Sequence, residues 1–151
     1  MEAMTGAGCW ASAKTWFKRS LLHMPSNSTA LYLMGMACLE LEEPKQAVDW
    51  MWKALLLDPD FKAPYVNLGA AYLRLRRYDE AVAISEAAMV RHPETPHCNY
   101  HIGLACFYKA VELQEKLWRS GVQGGETSEE GQSRDLNRLR ERALAALSES
   151  R

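Results

Sequence analysis

The sequence predicts an all-α fold, a right-handed α-solenoid built from helix-turn-helix repeats. The first observation is that Gly35, Gly69 and Gly103 are evenly spaced along the chain. The second is that alanines and prolines recur at the same spacing, and the third is that helical patterns fill the space between them. A 34-residue period, with two helices per unit, is typical of stacked repeats. The residues that recur in this register are Ala13, Ala47, Ala81, Ala54, Ala88, Pro25, Pro59 and Pro93.

Residues 1–26 are expected to supply only the second helix of a partial repeat. Ala13, Phe17 and Pro25 occupy the repeat positions of such a helix, but no first helix precedes them. One face of this helix therefore needs a cover. Residues 1–10 are one candidate, a partner is another, and a third explanation is that the chain is a fragment or a short isoform.

Residues 27–60 and 61–94 are predicted to form two complete repeats. In the second of them, helices are expected over residues 63–75 and 78–90. Pro64 suits the first turn of a helix, where no backbone donor is lost. Pro93 ends the second helix, because the residue before a proline avoids the α region.

Residues 95–120 are expected to form the first helix of an interrupted repeat, continuing to about Trp118. Residues 121–132 are rich in Gly, Ser and Glu, which predicts a flexible loop. A helical pattern resumes over residues 133–151, with Leu136, Leu139, Ala143 and Leu147 on one face. This last segment is read as a displaced second helix or a capping helix. A tail that is helical only part of the time is the alternative.

The repeated unit resembles the tetratricopeptide repeat, which has a 34-residue period and the pattern W-x2-L-G-x2-Y, A-x3-F and P. The resemblance covers about residues 13–108 and is specific for fold rather than function. Ser85 departs from the pattern, because it is small and polar where an aromatic residue is usual. The central unit matches with Tyr65, Leu68, Gly69, Tyr72, Ala81 and Pro93, and the preceding unit with Leu31, Met34, Gly35, Cys38, Ala47, Met51 and Pro59.

Gly69 lies inside a predicted helix, where glycine is less favourable than alanine by roughly 1 kcal/mol. Leu68 and Tyr72 form one stripe that faces the second helix of the repeat. We interpret Gly69 as a small residue that lets helices approach closely, so that packing offsets its poor helix propensity.

The resemblance implies that the first helix of each repeat lines a concave groove. In the central repeat, the groove positions are Val66, Asn67, Ala70 and Arg74. The equivalent positions of the neighbouring repeats lie one repeat period before and after them. The alternative is that several of these side chains only pack between repeats. The predicted peptide-binding groove consists of Tyr32, Met36, Val66, Asn67, Ala70, Arg74, His97, Tyr100 and His101.

The predicted function is that of a non-enzymatic protein–protein interaction scaffold, an adaptor or complex subunit that binds a peptide or a helix in this groove. The alternative is a structural fragment of a longer array that stacks or self-associates through its ends. An Hsp70/Hsp90 co-chaperone is disfavoured. Its clamp uses lysine, arginine and asparagine, and only Asn67 matches, since Tyr32, Met36, His97 and His101 stand at the other places.

The composition disfavours several other functions. The net charge of −1 argues against nucleic acid, and no apolar run is long enough to predict a membrane span. No catalytic constellation is recognisable, and no cofactor is expected. His97, Cys98, His101 and Cys106 do not predict a metal site, because Cys106 lies about 180° around the helix from His97. The two histidines instead suggest pH-tunable binding of an acidic ligand.

The cysteines and the start of the chain bear on location. The four cysteines are scattered and form no CxxC pair, which favours reduced thiols. The first residues lack the basic and apolar segments of a signal peptide. A cytoplasmic location is therefore expected, with the nucleus as an alternative.

Overall fold

The computed structural model describes residues 6–120 and 126–149. This part of the chain forms seven helices and no strand, and each helix packs against the next in the sequence. The first helices of the repeats, α2, α4 and α6, also contact one another in order. The prediction of an all-α solenoid is confirmed. The helices are α1 (Gly6–His23), α2 (Ser28–Glu40), α3 (Pro44–Leu57), α4 (Lys62–Arg74), α5 (Tyr78–Arg91), α6 (Pro96–Ser120) and α7 (Glu126–Glu149).

The turn between paired helices is the same in the first two repeats. Glu42 and Arg76, which are separated by one repeat period, both adopt a left-handed backbone with φ of 58°. This conformation stops the first helix and lets the second begin two residues later, although it is unfavourable for residues other than glycine. The equivalent residue of the third repeat is Ala110, which lies inside α6. The turn is therefore missing there, and α6 has 25 residues where α4 has 13.

α7 packs against α6 at Gly103 in the same way as α3 packs against α2 at Gly35. A Cβ atom at Gly35 would approach the side chain of Met51 and the carbonyl oxygen of Ala47. A Cβ atom at Gly103 would lie 2.5 Å from Cγ of Leu147 and 3.3 Å from the carbonyl oxygen of Ala143. Ala143 and Leu147 thus take the places of Ala47 and Met51. They follow an inserted segment, residues 111–138, for which the regular repeat has no counterpart.

Part of the loop expected over residues 121–132 is helical. α7 begins at Glu126, so residues 126–132 belong to it, while residues 121–125 lie outside the described part of the chain. The composition was misleading because glutamate is a good helix former and is favourable near a helix N-terminus. Gly131 is also tolerated in this exposed part of α7, where a Cβ atom would meet nothing within 4 Å.

The longer helices of the third repeat make a projecting hairpin, which we define as residues 109–120 of α6 and 126–139 of α7. Apart from Lys109, Ala110 and Leu139, these residues have no counterpart in the first two repeats. Twelve helical residues extend about 18 Å. The hairpin therefore lengthens one end of the third repeat without changing the glycine contact at its centre.

α1 lies at the other end of the solenoid. It packs against α2, and Lys14 bonds to the Glu43 carboxylate. Residues 6–10 were among the candidates to cover this helix. They are instead part of it, because α1 begins at Gly6. Residues 1–5 lie outside the described part of the chain. α1 has no buried residue, and Trp16 and Leu22 are largely exposed.

Candidate binding groove

The first helix of each repeat has three faces, and α4 shows what each one contacts. Leu68 and Tyr72 are buried in the main core that α4 shares with α5. Asn67 faces the preceding repeat, where its Nδ2 atom donates a hydrogen bond to Oη of Tyr32 over 2.9 Å. Val66 and Leu73 lie on the third face, beside residues of the following repeat, and remain partly exposed. The third face of α4, together with the adjacent side of α6, forms the floor of the groove.

One pocket lies where α4 and α6 begin. It has a volume of about 510 Å³, and its inner walls are apolar. Lys62 and His97 stand at its rim, and Nζ of Lys62 lies 2.9 Å from the Glu94 carboxylate. The lining residues are Phe61, Lys62, Ala63, Val66, Asn67, Thr95 and His97.

A second pocket, of about 470 Å³, lies at the other end of α4. Its rim carries two arginines. Arg76 contacts the Glu112 carboxylate at 2.6 Å, and Arg74 donates to the Leu39 carbonyl oxygen at 2.6 Å. The lining residues are Leu73, Arg74, Arg76, Tyr78, Leu104 and Tyr108.

Tyr32 and Met36 belong mainly to the contact between the first two repeats. The Tyr32 ring packs edge-on against Phe61, with centroids 5.1 Å apart, and its hydroxyl accepts the bond from Asn67. Burial raises the pKa of Tyr32, so it stays protonated. Met36 packs against the main hydrophobic core. This bond uses one N–H of the Asn67 amide, which leaves the second N–H and the side-chain oxygen for other partners.

His101 does not line the groove as a polar handle, contrary to the prediction. It is only 8% exposed, and its Nδ1 atom would lie 2.7 Å from a Cβ atom at Gly69. Burial lowers the pKa of His101 to about 4, so the ring is neutral near pH 7. A step of one repeat period from Asn67 correctly places His101 on α6. The side chain of His101, like that of Asn67, is directed toward the preceding repeat.

Gly69 is therefore a contact between repeats as well as between paired helices. The same hypothetical Cβ atom would lie 3.1 Å from Oγ of Ser85 on α5. Ser85 is small where the repeat pattern has an aromatic residue, and the ring of His101 packs beside it. Neither Oγ of Ser85 nor Nδ1 of His101 has a hydrogen-bond partner in the structure. The imidazole ring of the next repeat occupies space that the missing aromatic side chain would fill.

The structure divides the predicted site into three groups. Val66, Asn67, Arg74 and His97 line the two pockets, and Ala70 lies half-buried between them on α4. Tyr32, Met36 and His101 make contacts between repeats. Tyr100 is 48% exposed and lines neither pocket.

Sequence reasoning missed Arg76 as a pocket residue. The repeat pattern does not mark this residue, because it follows the end of the first helix. Its left-handed backbone reverses the chain at the mouth of the second pocket, and the signal that could have found it is its position directly beyond the groove helix.

Stacked pairs of helices with a 34-residue period and a concave groove define the class of tetratricopeptide-repeat proteins. The family model described as tetratricopeptide repeat matches residues 28–61 and 63–89. Residues 28–89 therefore contain two tetratricopeptide repeats, and the resemblance predicted from the sequence is confirmed.

Individual relatives are distant. Superkiller protein 3 of Saccharomyces cerevisiae is 25% identical over 96 residues, which cover 64% of this chain but 6% of that protein. A crystal structure of MamA has 18% identity and a TM-score of 0.70, covering 97% of this chain and 65% of the MamA chain. A second has 19% identity and a TM-score of 0.67, covering 96% and 72%. At these identities, the likeness to MamA shows the fold alone.

Within residues 6–120 and 126–149, no three His, Cys, Asp or Glu side chains are grouped so that they could hold a metal ion. In the same part of the chain, no helix is long and apolar enough to cross a bilayer.

Proposed function

We propose that this protein is a non-enzymatic interaction scaffold whose α4–α6 groove binds a peptide or helix of a partner protein. The observation that carries this proposal is the pair of apolar pockets at the two ends of α4. Ala63 and Leu73, which mark the two ends, are ten residues apart, or about 15 Å along the helix. A ligand with two apolar anchors at this separation fits the groove. An extended peptide spans the distance with about five residues, and a helix with about ten.

The rim charges favour selection by apolar anchors rather than by net charge. Lys62 is paired with Glu94, and Arg76 with Glu112. Because each cation has a carboxylate beside it, the groove carries little excess positive charge. This arrangement differs from a clamp for an acidic chaperone tail, which needs unpaired lysine and arginine.

A chaperone clamp is disfavoured for a second reason. Asn67, the one matching residue, already donates one of its two amide hydrogens to Tyr32. His101, which stands in place of an arginine, is buried and neutral. The pH-tunable grip on an acidic ligand proposed for His97 and His101 loses one of its two groups for the same reason.

We propose that the protein acts without a cofactor and not on nucleic acid, in the cytoplasm or the nucleus. The structure has four free cysteines, three of them buried, which suits a reducing compartment.

Membership of a longer array is the second candidate function. The observation that favours it is the apolar surface at both ends of the solenoid, where Trp16, Leu22 and Trp118 are exposed. Exposed patches of this kind mark interaction sites.

Selection of ligands from a random peptide display library on the purified chain tests the groove. Ala70→Arg places a long cationic side chain on the groove floor, and Ala83→Arg makes the same change at an exposed position of α5. Selected peptides should bind the Ala70→Arg variant at least tenfold more weakly, as measured by fluorescence anisotropy, and the Ala83→Arg variant unchanged. Thermal melting verifies that both variants are folded. Equal binding by both variants, or the absence of any selected peptide, would overturn the groove.

A further inference from the structure

α6 has the same three faces as α4, but only two of them are covered. His101 faces α4, where it meets Gly69. Ile102 and Cys106 face α7, where they form a buried cluster with Ala143 and Ala146. The third face corresponds to the face of α4 that receives α6. In the described part of the chain no helix lies on it.

The open face of α6 carries a continuous stripe. Phe107 is 53% exposed, Val111 38% and Trp118 85%. The successive spacings are four, three, four, three and four residues, which keeps all members within about 40° of one line along the helix. Such 3.5-residue spacing is the pattern of a helix that pairs with another helix along its length. The α6 stripe consists of Tyr100, Leu104, Phe107, Val111, Gln114 and Trp118.

We propose that the α6 stripe is a homodimer interface, in which α6 packs antiparallel against α6 of a second copy of this chain. The two-fold axis passes near residue 109. Tyr100 of one copy then lies opposite Trp118 of the other, and Phe107 lies opposite Val111. The interface shares Leu104 with the second pocket of the groove proposed above, and its other five residues lie outside both pockets.

The stripe is self-complementary in spacing and in length. The order four, three, four, three, four reads the same in both directions, which is the condition for two identical helices to pair about a two-fold axis. The stripe runs from Tyr100 to Trp118 and is longer than α2 and α4, which have only 13 residues each. A first helix of an ordinary repeat would leave part of it uncovered. A second α6, with 25 residues, covers it completely.

Charge and area are also compatible with a second copy. The six members of the stripe are uncharged, so pairing brings no like charges together. Glu115 and Arg119, which flank it, carry opposite signs and lie 4.0 Å apart. With 150–250 Å² for each aromatic side chain, the exposed parts of Tyr100, Phe107 and Trp118 amount to about 400 Å² per copy. The three rings of each copy therefore bury about 800 Å² in the dimer, and Leu104, Val111 and Gln114 raise the total toward the roughly 1,000 Å² of a specific interface.

Sedimentation equilibrium of the full chain tests the dimer. We expect reversible dimerisation over roughly 1–100 µM, the weak end for interfaces of this size. Phe107→Arg should produce a monomer, because it places two buried cations in the interface. Val90→Arg changes a side chain that is 83% exposed on α5 and should leave the dimer intact. Circular dichroism verifies that Phe107→Arg is folded. A monomeric wild-type chain, or a dimer that survives Phe107→Arg, would overturn the proposal.

Cysteine cross-linking tests the orientation. In a Cys9→Ser background, which removes the exposed native thiol, one preparation carries Leu104→Cys and a second carries Gln114→Cys. The antiparallel register brings residue 104 of one copy beside residue 114 of the other, so a disulfide should form in the mixture and not in either preparation alone. A disulfide within the Gln114→Cys preparation alone would contradict the antiparallel arrangement.

The dimer and the groove fail separately. If Phe107→Arg yields a monomer that still binds the selected peptides, the stripe is an interface between copies and the groove is intact. If the wild-type chain is a monomer and a partner helix binds the stripe instead, the dimer proposal is wrong, whatever the peptides show.

Discussion

The central repeat and the third repeat use the same glycine contact but build it from different parts of the chain. At Gly69, the close neighbours are Ser85 of the paired helix and His101 of the next repeat. At Gly103, they are Leu147 and Ala143 of α7, which follows the inserted residues 111–138. The comparison teaches that packing against the glycine defines the repeat, and that the connection between its helices is free to vary.

The two contacts also differ in polarity. The Gly69 contact contains the imidazole of His101 and the hydroxyl of Ser85. Nδ1 of His101 and Oγ of Ser85 each lack a hydrogen-bond partner. The Gly103 contact is apolar. Buried polar atoms without partners are unfavourable, so the central contact should be the more sensitive of the two to solution conditions.

Enlarging the central glycine should have the largest effect. Gly69→Leu forces a branched side chain against His101 and Ser85, and we expect it to lower the free energy of unfolding by more than ~2 kcal/mol through overpacking. Urea denaturation monitored by circular dichroism measures the change. Gly131→Leu, where a Cβ atom meets nothing within 4 Å, is the matched control and should not destabilise the protein. Equal stabilities of the two variants would contradict the role assigned to Gly69.

Acid should weaken the central contact and not the apolar one. The pKa of His101 falls from 6.5 to about 4 on folding because of burial. Between pH 6.5 and about 4, the unfolded chain binds a proton at this histidine more readily than the folded chain does. The folded chain therefore has its full stability above pH 6.5 and loses part of it as the pH falls toward 4. At about 1.4 kcal/mol per pH unit, the loss from this group near pH 5 is about 2 kcal/mol.

Denaturant titrations at several pH values measure the slope of the free energy of unfolding against pH. His101→Gln should abolish the loss of stability in acid that this imidazole causes. His97→Gln changes an exposed side chain and should leave most of that loss in place. An unchanged slope in His101→Gln would show that another group carries the acid sensitivity.

Removing the projecting hairpin should have a smaller effect, because the glycine contact does not need it. Deletion of residues 111–138, combined with Ala110→Gly to allow the left-handed turn, restores the regular repeat spacing to Ala143 and Leu147. We expect a cooperatively folded protein that is less stable by under ~2 kcal/mol, since the Arg76–Glu112 pair and the contacts around Leu136 are lost. Thermal and urea unfolding measure the difference. An unfolded third repeat would show that the long helices are needed for the contact.

The ion pair that joins α7 to α5 should matter least. Arg142 contacts the Glu86 carboxylate, but both side chains are about half exposed. Surface pairs of this kind contribute roughly 0.2–1 kcal/mol. A double-mutant cycle of Arg142→Ala and Glu86→Ala measures the coupling energy of this pair. We expect it to be less than ~1 kcal/mol. A coupling energy well above this range would mean that the pair helps to place α7.

The repeat period predicted the fold, because glycine and alanine are required at the same points of each unit. The face of Leu136, Leu139, Ala143 and Leu147 also indicated that the last segment packs on the solenoid. The start of α7 was not predictable, since glutamate and serine suit both a loop and the first turns of a helix. The projecting hairpin could not be foreseen either, because no local signal at Ala110 marks the loss of a turn.

The binding site was predicted less well than the fold. A step of one repeat period transfers a position along the array, but the surroundings of that position change with the side chains of the next repeat. Asn67 stays at the groove edge, whereas its counterpart His101 is buried because Ser85 and Gly69 leave space for a ring. Tyr100 is open because no helix covers its side of α6 in the described part of the chain. Such differences depend on packing between repeats, which a single-repeat pattern does not contain.

The late arrival of α7 also affects the order in which the chain folds during synthesis. Contacts in the first two repeats are local in sequence, so these units can pair as they leave the ribosome. The third repeat must wait for the inserted segment to be made, which takes roughly 1–6 s at about 5–20 residues per second. During this interval Ile102 and Cys106 lack their partners on α7. The nascent chain therefore exposes an apolar helix face at a defined stage, when chaperones or a second nascent copy can reach it.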